Sequence, residues 1–254
     1  MSCQGYAPFL VSADQDRVLD RLLAAAGPGR PAVLDLDGCL FDNRWRQLQI
    51  LPEYAAHRDL PAIAAVGIEH FRDWSLSRTL REAGVDPALV EEVRADLRTF
   101  WGKRFFQGAY VGFDHPMPGA VRLVRGLAAA GAPIVYLTGR DRRMHGGTQR
   151  ALGRFGFPVE EDGALLLTKP LHGMVDEDWK ATALPRIAAM GSPSVFLDNE
   201  PVNGNLFREA FPAALVVFVS TDHSPRPARP HPEIPWIRGF LRSSDPNPRA
   251  SEQR

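Results

Sequence analysis

Five short apolar runs, at residues 32–37, 134–137, 165–167, 195–197 and 215–219, are typical of buried β-strands. Helical spacing follows at 121–130, 148–155 and 178–190, and an earlier helix is expected after Ser12, its predicted N-cap. Pro185 is expected to kink or break the last of these helices. Strands that alternate with helices predict an α/β fold with a doubly wound (Rossmann-like) parallel sheet covered on both faces.

A second kind of region lies at residues 43–112, which contain several helix signals and no convincing strand. Ser75 is a suitable N-cap for a helix over 76–83, and Asp86-Pro87 starts another helix. We therefore expect an α/β core of residues 1–42 and 113–223, interrupted by a helical cap at 43–112. The proline-rich tail, 224–254, is expected to be extended or disordered, although its apolar part at 234–241 should dock on the core.

Composition and charge argue against a nucleic-acid-binding, membrane or secreted protein. The 254 residues are 44% hydrophobic, and 30 Lys and Arg balance 30 Asp and Glu, so no excess charge recruits long nucleic acid or membranes. No run approaches the ~20 apolar residues of a membrane span. Residues 1–9 lack the pattern of a secretory leader, and the two cysteines, Cys3 and Cys39, suit a reducing compartment. We expect a cytoplasmic protein without a membrane partner.

The first strand ends in two aspartates, Asp35 and Asp37, followed by Gly38. The carboxyl edge of a parallel sheet is where α/β proteins bind ligands, and two carboxylates there repel each other unless a cation or a proton relieves them. An Asp-Gly turn after a buried strand is also common without any function. The residues alone leave both interpretations open.

A resemblance decides between them. Asp35-Leu36-Asp37-Gly38 followed by Leu40-Phe41-Asp42 resembles the first motif of the haloacid dehalogenase (HAD) superfamily, many members of which insert a helical cap after the first strand. The resemblance implies that Asp35 is a nucleophile. Asp37 is implied to protonate the leaving oxygen, which requires a pKa raised towards neutrality by its neighbours. The dehalogenase branch lacks this acid, so the pair implies phosphoryl transfer.

The second and third motifs follow in order. Thr138-Gly139-Arg140 resembles the segment whose hydroxyl and amide groups hold phosphate oxygens. Two lysines compete for the third motif, which stabilises the phosphorylated aspartate. Lys180 is favoured because it lies in the first turn of a helix that leads into the fourth strand, whereas Lys169 is expected to be exposed after its strand.

The fourth motif places Asp198 as a ligand of Mg²⁺, together with the Asp35 carboxylate and the Asp37 main-chain carbonyl. Such hard oxygen ligands suit Mg²⁺ better than zinc. The chain departs from the family here, because Asn199, Val202 and Asn203 stand where many members carry a second aspartate. Glu200, Asn203 or water is left to fill that position.

These motifs predict a Mg²⁺-dependent phosphatase that hydrolyses a small phosphomonoester through an aspartyl-phosphate intermediate. A nucleotide or polynucleotide-end phosphatase would use the same core, although the balanced charge makes nucleic acid an unfavoured partner. A non-catalytic phosphate-binding regulator of the same fold is the alternative outside enzymes. The sequence sets neither the substrate nor the oligomeric state. Possible substrate contacts in the cap are Arg44, Trp45, Arg46, His57, Arg72, Trp74 and Lys103.

Overall fold

The computed structural model describes residues 10–224 and 226–246. The predictions about Cys3 and about a leader in residues 1–9 concern residues outside these ranges. The helices are α1 Gln15–Ala25, α2 Arg44–Arg58, α3 Pro61–Ala64, α4 Leu76–Glu82, α5 Pro87–Phe105, α6 Ala120–Ala129, α7 His145–Phe155, α8 Asp176–Ala188 and α9 Pro201–Ala210. The strands are β1 Ala32–Leu34, β2 Phe41–Asp42, β3 His115–Pro116, β4 Ile134–Asp141, β5 Leu165–Lys169, β6 Val195–Asp198, β7 Leu215–Val219 and β8 Trp236–Ile237.

Six strands form one parallel sheet in the order β5-β4-β1-β6-β7-β8. Side chains alternate between its faces: Leu34 of β1 packs with α1, α6 and α7, and Val33 packs with α8 and α9. The predicted doubly wound fold is therefore confirmed. The central strand β1 lies between β4 and β6, so the residues that follow these three strands meet at one edge.

Several local predictions need correction. The N-cap of α1 is Asp14 rather than Ser12. Pro185 lies inside α8, which continues without a break. The flanking residues Ala183 and Ile187 are buried against the sheet and keep the helix packed there. β4 runs on through Thr138 to Asp141, with a register shift against β5 after Leu137. The apolar run at 134–137 predicted the centre of β4, but it carries no signal for the irregular end of the strand.

Helices α2 to α5 lie in the segment predicted to be a cap and share their own apolar cluster, which includes Leu51, Tyr54, Phe71 and Val93. The helices predicted at 76–83 and from Pro87 are present, with Ser75 and Asp86 as their N-caps. The cap residues lie between β2 and β3, which pair antiparallel at the junction with the core. This antiparallel pair was not predicted, because two-residue strands leave no periodic signal.

The tail packs on the core along part of its length. Ile234, Ile237, Phe240 and Leu241 are buried, and β8 extends the sheet beside β7. The predicted docking of the apolar part agrees with this. Within residues 10–224 and 226–246, no helix combines the length and apolar character that a membrane span needs.

Candidate active site

Three charged side chains form the centre of the site at the carboxyl edge of the sheet. Asp35 follows β1, Asp198 ends β6, and Lys180 lies in the second turn of α8. The Lys180 ammonium donates to Asp35 Oδ1 and to Asp198 Oδ2, at 2.7 Å each, and all three side chains are buried. In the described part of the chain, Asp35 Oδ2 accepts no hydrogen bond. One oxygen of Asp35 is thus fixed by the lysine and the other is left for chemistry.

Burial and charge set the protonation of this cluster. Burial raises the pKa of Asp35 to about 8, because the charge of Lys180 only partly offsets the cost of desolvation and the charge of Asp198 adds to it. Burial alone would lower the pKa of Lys180, but Asp198 and Asp35 outweigh it and raise that pKa. The lysine therefore stays charged, in contact with both acidic side chains.

Asp37 lies in a different network, in which three residues donate hydrogen bonds to it. Arg140 donates Nε to Asp37 Oδ2 at 2.7 Å and Nη2 to Oδ1 at 2.9 Å. Arg46, from cap helix α2, donates to Oδ1 at 3.0 Å, and Asn43 donates to the same oxygen at 3.2 Å. The core and the cap thus both hold this carboxylate.

A second carboxylate completes this network. Asp114, fully buried beside β3, accepts from Arg46 Nε at 2.8 Å and from Arg140 Nη2 at 2.7 Å. Although burial opposes it, the charges of Arg140 and Arg46 lower the pKa of Asp37. The expectation that neighbours raise this pKa towards neutrality is therefore wrong for the arrangement seen here. Asp37 is an ion-paired carboxylate, and it cannot donate a proton until a guanidinium leaves it.

We expect Arg46→Met to lower the free energy of unfolding by about 3–5 kcal/mol, because it leaves Asp37 and the buried Asp114 with one guanidinium between them. Arg58→Met, on the same helix, is the matched control. Arg58 pairs with Asp96 at the surface, with side chains 40% and 51% exposed, and such pairs contribute about 0–1 kcal/mol. Urea unfolding of both variants tests this; equal losses would show that the buried network contributes nothing beyond a surface pair.

The predicted phosphate-holding segment lies in the irregular part of β4. Thr138 is fully buried, and its hydroxyl oxygen accepts from Arg140 N at 3.2 Å. Gly139 lines the cavity, where a Cβ on it would collide with Asp176 Oδ2. A side chain at this position would have to displace Asp176. The Arg140 side chain points to Asp37 and Asp114, which makes it part of the buried network.

Lys169 is not exposed, contrary to the prediction. It ends β5, is only 7% accessible, and donates to Asp176 Oδ1 at 2.5 Å and to Met174 O at 3.1 Å. It lines the same cavity as Lys180 but is paired with Asp176 instead of Asp35. The structure therefore places Lys180, and not Lys169, against the candidate nucleophile.

The fourth motif surrounds Asp198 with donors. Glu200 N donates to Asp198 Oδ1 at 2.8 Å, and Asn203 Nδ2 lies 3.2 Å from both carboxylate oxygens. The Glu200 carboxylate itself accepts from Ser224. Of the two residues proposed for the position of the missing aspartate, Asn203 is the one whose side chain contacts Asp198.

A cavity of about 430 Å³ lies over the site. Of the candidate cap contacts, Arg46 and Trp74 line it. The others do not: Arg44 pairs with Asp42, Trp45 stacks on His115, His57 stacks on Phe100, and Arg72 and Lys103 are exposed.

Sequence reasoning missed other parts of the site. Asp114 joins the buried network, and the cavity is lined by Trp101, Phe105, Phe106 and His172. Only Trp101 was assigned from the sequence, to the apolar face of the cap helix that starts at Pro87, because an aromatic residue at helical spacing is typical of a buried helix face. In the sequence, the pair Phe105-Phe106 at the end of α5 was the signal that could have indicated this aromatic side of the cavity.

Solved structures share this fold. A HAD-superfamily hydrolase of subfamily IA, variant 1, from Geobacter sulfurreducens PCA gives a TM-score of 0.52 at 16% identity, covering 85% of this chain and 95% of its own. Protein tyrosine kinase A from Mycobacterium tuberculosis gives 0.51 at 17% identity, covering 82% and 93%. No protein-family model and no curated protein matches the sequence. The chain has the fold of HAD-superfamily hydrolases; because one neighbour is named a kinase, the reaction must be argued from the site.

Proposed function

We propose that this protein is a HAD-type phosphatase that hydrolyses a small phosphomonoester through an aspartyl-phosphate intermediate. The observation that carries the proposal is the contact of one buried ammonium, Lys180, with both Asp35 and Asp198 at the carboxyl edge of the sheet. Such a cluster is costly to bury and of little use to the fold alone. It supplies a nucleophile whose position is fixed and a cation beside it.

The residues present fit Mg²⁺. Two buried carboxylates, Asp35 and Asp198, supply hard charged ligands, and the buried Asn199 Oδ1 makes no hydrogen bond in the described part of the chain. The same part contains no cluster of three or more His, Cys, Asp or Glu side chains arranged for a metal. Asp35, Asp198 and the Asp37 carbonyl would hold the ion with water and substrate phosphate, as is common for Mg²⁺. Bound there, Mg²⁺ offsets the repulsion between the nucleophile and the phosphate.

In the proposed reaction, an oxygen of Asp35 attacks phosphorus and the bond to the leaving oxygen breaks. That oxygen leaves with a proton as the alcohol. Water then attacks the phosphorus of the aspartyl phosphate, which releases inorganic phosphate and restores the carboxylate. Lys180 stabilises the negative charge in both steps.

The proton on the leaving oxygen is assigned to Asp37, on one condition. Two guanidiniums lower the pKa of Asp37, so the carboxylate accepts a proton only after at least one contact is broken. Arg46 lies on the cap and Arg140 on the core. Movement of the cap, or competition from the substrate phosphate for Arg46, would free Asp37 in the course of turnover.

Asp37→Asn should lower kcat for alkyl phosphates by roughly 10² to 10⁴, the usual contribution of a general acid. Activated aryl phosphates, whose leaving groups need no proton, should lose about tenfold or less. Steady-state kinetics on one substrate of each kind measures the difference. Equal losses would remove Asp37 from the acid role and leave it as a partner of the arginines.

The direct test is hydrolysis of a panel of phosphomonoesters by the purified protein, with Mg²⁺ and again with EDTA. We expect phosphate release that depends on the metal. Saturable binding of inorganic phosphate without hydrolysis of any member of the panel would overturn the proposal and favour the non-catalytic regulator.

A further inference from the structure

The cavity over Asp35 has two chemically different sides. The core side is charged, with Asp35, Lys180 and Lys169 among its residues. The cap side is aromatic, with Trp74 from the loop before α4 and the end of α5 as its surface. The leaving group of a phosphomonoester bound at Asp35 would therefore meet aromatic rings, which favour flat and apolar groups.

The aromatic side is a connected surface. Trp101 stacks on Phe105 at a centroid distance of 4.4 Å, and Trp74 meets the edge of Phe105 at 5.9 Å. Phe106 meets Phe105 at 5.2 Å. Phe105 is buried and the other three rings are half-buried. Rings that are fixed in this way give a ligand ring a preformed surface to stack on.

A second cavity, of about 770 Å³, adjoins the first, because Trp74 and Trp101 line both. Its remaining residues belong to the cap and include Ser75, Ser77, Arg81, Arg94 and Arg98, with no acidic side chain among them. We call it the arginine groove.

Charge in the arginine groove is only partly neutralised. Glu91 pairs with Arg81 at 2.7 Å and lies 3.8 Å from Arg94. Arg98 makes no ion pair within residues 10–224 and 226–246. Glu91 carries one negative charge against the three positive charges of these arginines, which leaves the groove locally basic although the whole chain has no net charge. Guanidiniums of this kind bind phosphate and carboxylate groups.

We propose that the two cavities bind one substrate that carries a flat ring and a second anionic group beyond the scissile phosphate. The ring packs against Trp74 and Trp101, and the second anion lies in the arginine groove near Arg94 and Arg98. Aromatic side chains beside a basic groove are the chemistry that binds nucleotides and single-stranded nucleic acid ends. This inference rests on the proposed function, for which it names the substrate class.

The experiment compares kcat/KM for four phosphomonoesters with the full chain and Mg²⁺. Glycerol phosphate has neither feature, adenosine monophosphate has the ring, and adenosine 3′,5′-bisphosphate and a phosphate-terminated dinucleotide have both. We expect adenosine monophosphate to exceed glycerol phosphate by roughly tenfold, since stacking of one base contributes at least about that much. At least one of the last two should be better still, and which one is preferred identifies the source of the second anion.

The double variant Arg94→Gln/Arg98→Gln should reduce the preference for the doubly anionic substrate over adenosine monophosphate by about tenfold, because two charge-assisted contacts are lost. Arg58→Gln, an exposed cap arginine outside the groove, is the matched control and should keep the preference. Salt should weaken the preference of the unsubstituted chain, as the contacts are exposed. An unchanged preference in the double variant, or glycerol phosphate as the best substrate, would overturn the inference.

A binding measurement distinguishes failure of this inference from failure of the proposed function. Asp35→Asn protein is titrated calorimetrically with adenosine 3′,5′-bisphosphate and with adenosine. Tighter binding of the bisphosphate, weakened about tenfold by the groove substitutions, supports the inference even if no substrate is hydrolysed. Equal binding of both compounds contradicts the inference, whatever the outcome of the hydrolysis panel.

Discussion

Asp35→Asn should abolish turnover, by at least about 10³-fold in kcat, while the protein stays folded. The amide keeps the shape of the carboxylate but is not a nucleophile. It can still accept a hydrogen bond from Lys180, which also retains its 2.7 Å contact with Asp198. The loss should therefore be chemical and not structural.

The melting temperature of this variant at neutral pH should be unchanged or higher. Burial raises the pKa of Asp35 to about 8, well above its value of 3.8 when exposed, so at pH 7 the fold disfavours the ionised form. A neutral group in its place removes this penalty as well as the repulsion from Asp198. The sign follows from the direction of the shift: a carboxyl whose pKa rises on folding opposes folding once the pH exceeds its unfolded pKa.

Asp59→Asn is the control for kcat and melting temperature. Asp59 is exposed at the end of α2 with a φ of 54°, a conformation that asparagine tolerates. It should retain full activity. Substantial phosphate release by a clean Asp35→Asn preparation would remove Asp35 from the nucleophile role, and a clear drop in melting temperature would show that the carboxylate stabilises the fold.

The sequence predicted the parts of this site that lie next to a strand. β1 and β6 are short apolar runs followed or ended by Asp35 and Asp198. Such runs are typical of strands buried on both faces of a parallel sheet, and these two strands pair in it. Their neighbouring positions in the sheet bring the two carboxylates together. Lys180 was favoured over Lys169 from its place in a helix, and the structure puts it beside both carboxylates.

The surroundings of Asp37 could not be predicted in the same way. Its partners Arg46, Arg140 and Asp114 come from three separate parts of the chain, and no periodicity links them. Arg46 was one of several cap cations without a distinguishing feature. Asp114 lies next to residue 113, where the second core segment was predicted to begin, in a stretch with no periodic pattern. The pKa of Asp37 depends on these contacts, and the general-acid analogy therefore gave the wrong direction.

Lys180→Met should lower kcat by about 10² to 10³, because among the described residues Lys180 is the cation in contact with the candidate nucleophile. It also leaves Asp35 and Asp198 buried and facing each other, which should cost about 3–5 kcal/mol in the free energy of unfolding. If the two carboxylates bind Mg²⁺, the metal replaces the missing charge. Mg²⁺ should then raise the melting temperature of this variant more than that of the unsubstituted protein.

Lys169→Met is the matched comparison, since both lysines are buried and line one cavity. Its loss should also reduce stability, because Lys169 is not the surface residue that the sequence predicted. Its partner Asp176 is 47% exposed, however, and can be hydrated when the lysine is gone. We therefore expect kcat within a few-fold of normal and no special stabilisation by Mg²⁺. The reverse pattern would assign the third motif to Lys169. Near-normal turnover in both variants would mean that another cavity cation, Arg46 or Arg140, stabilises the phosphoryl group.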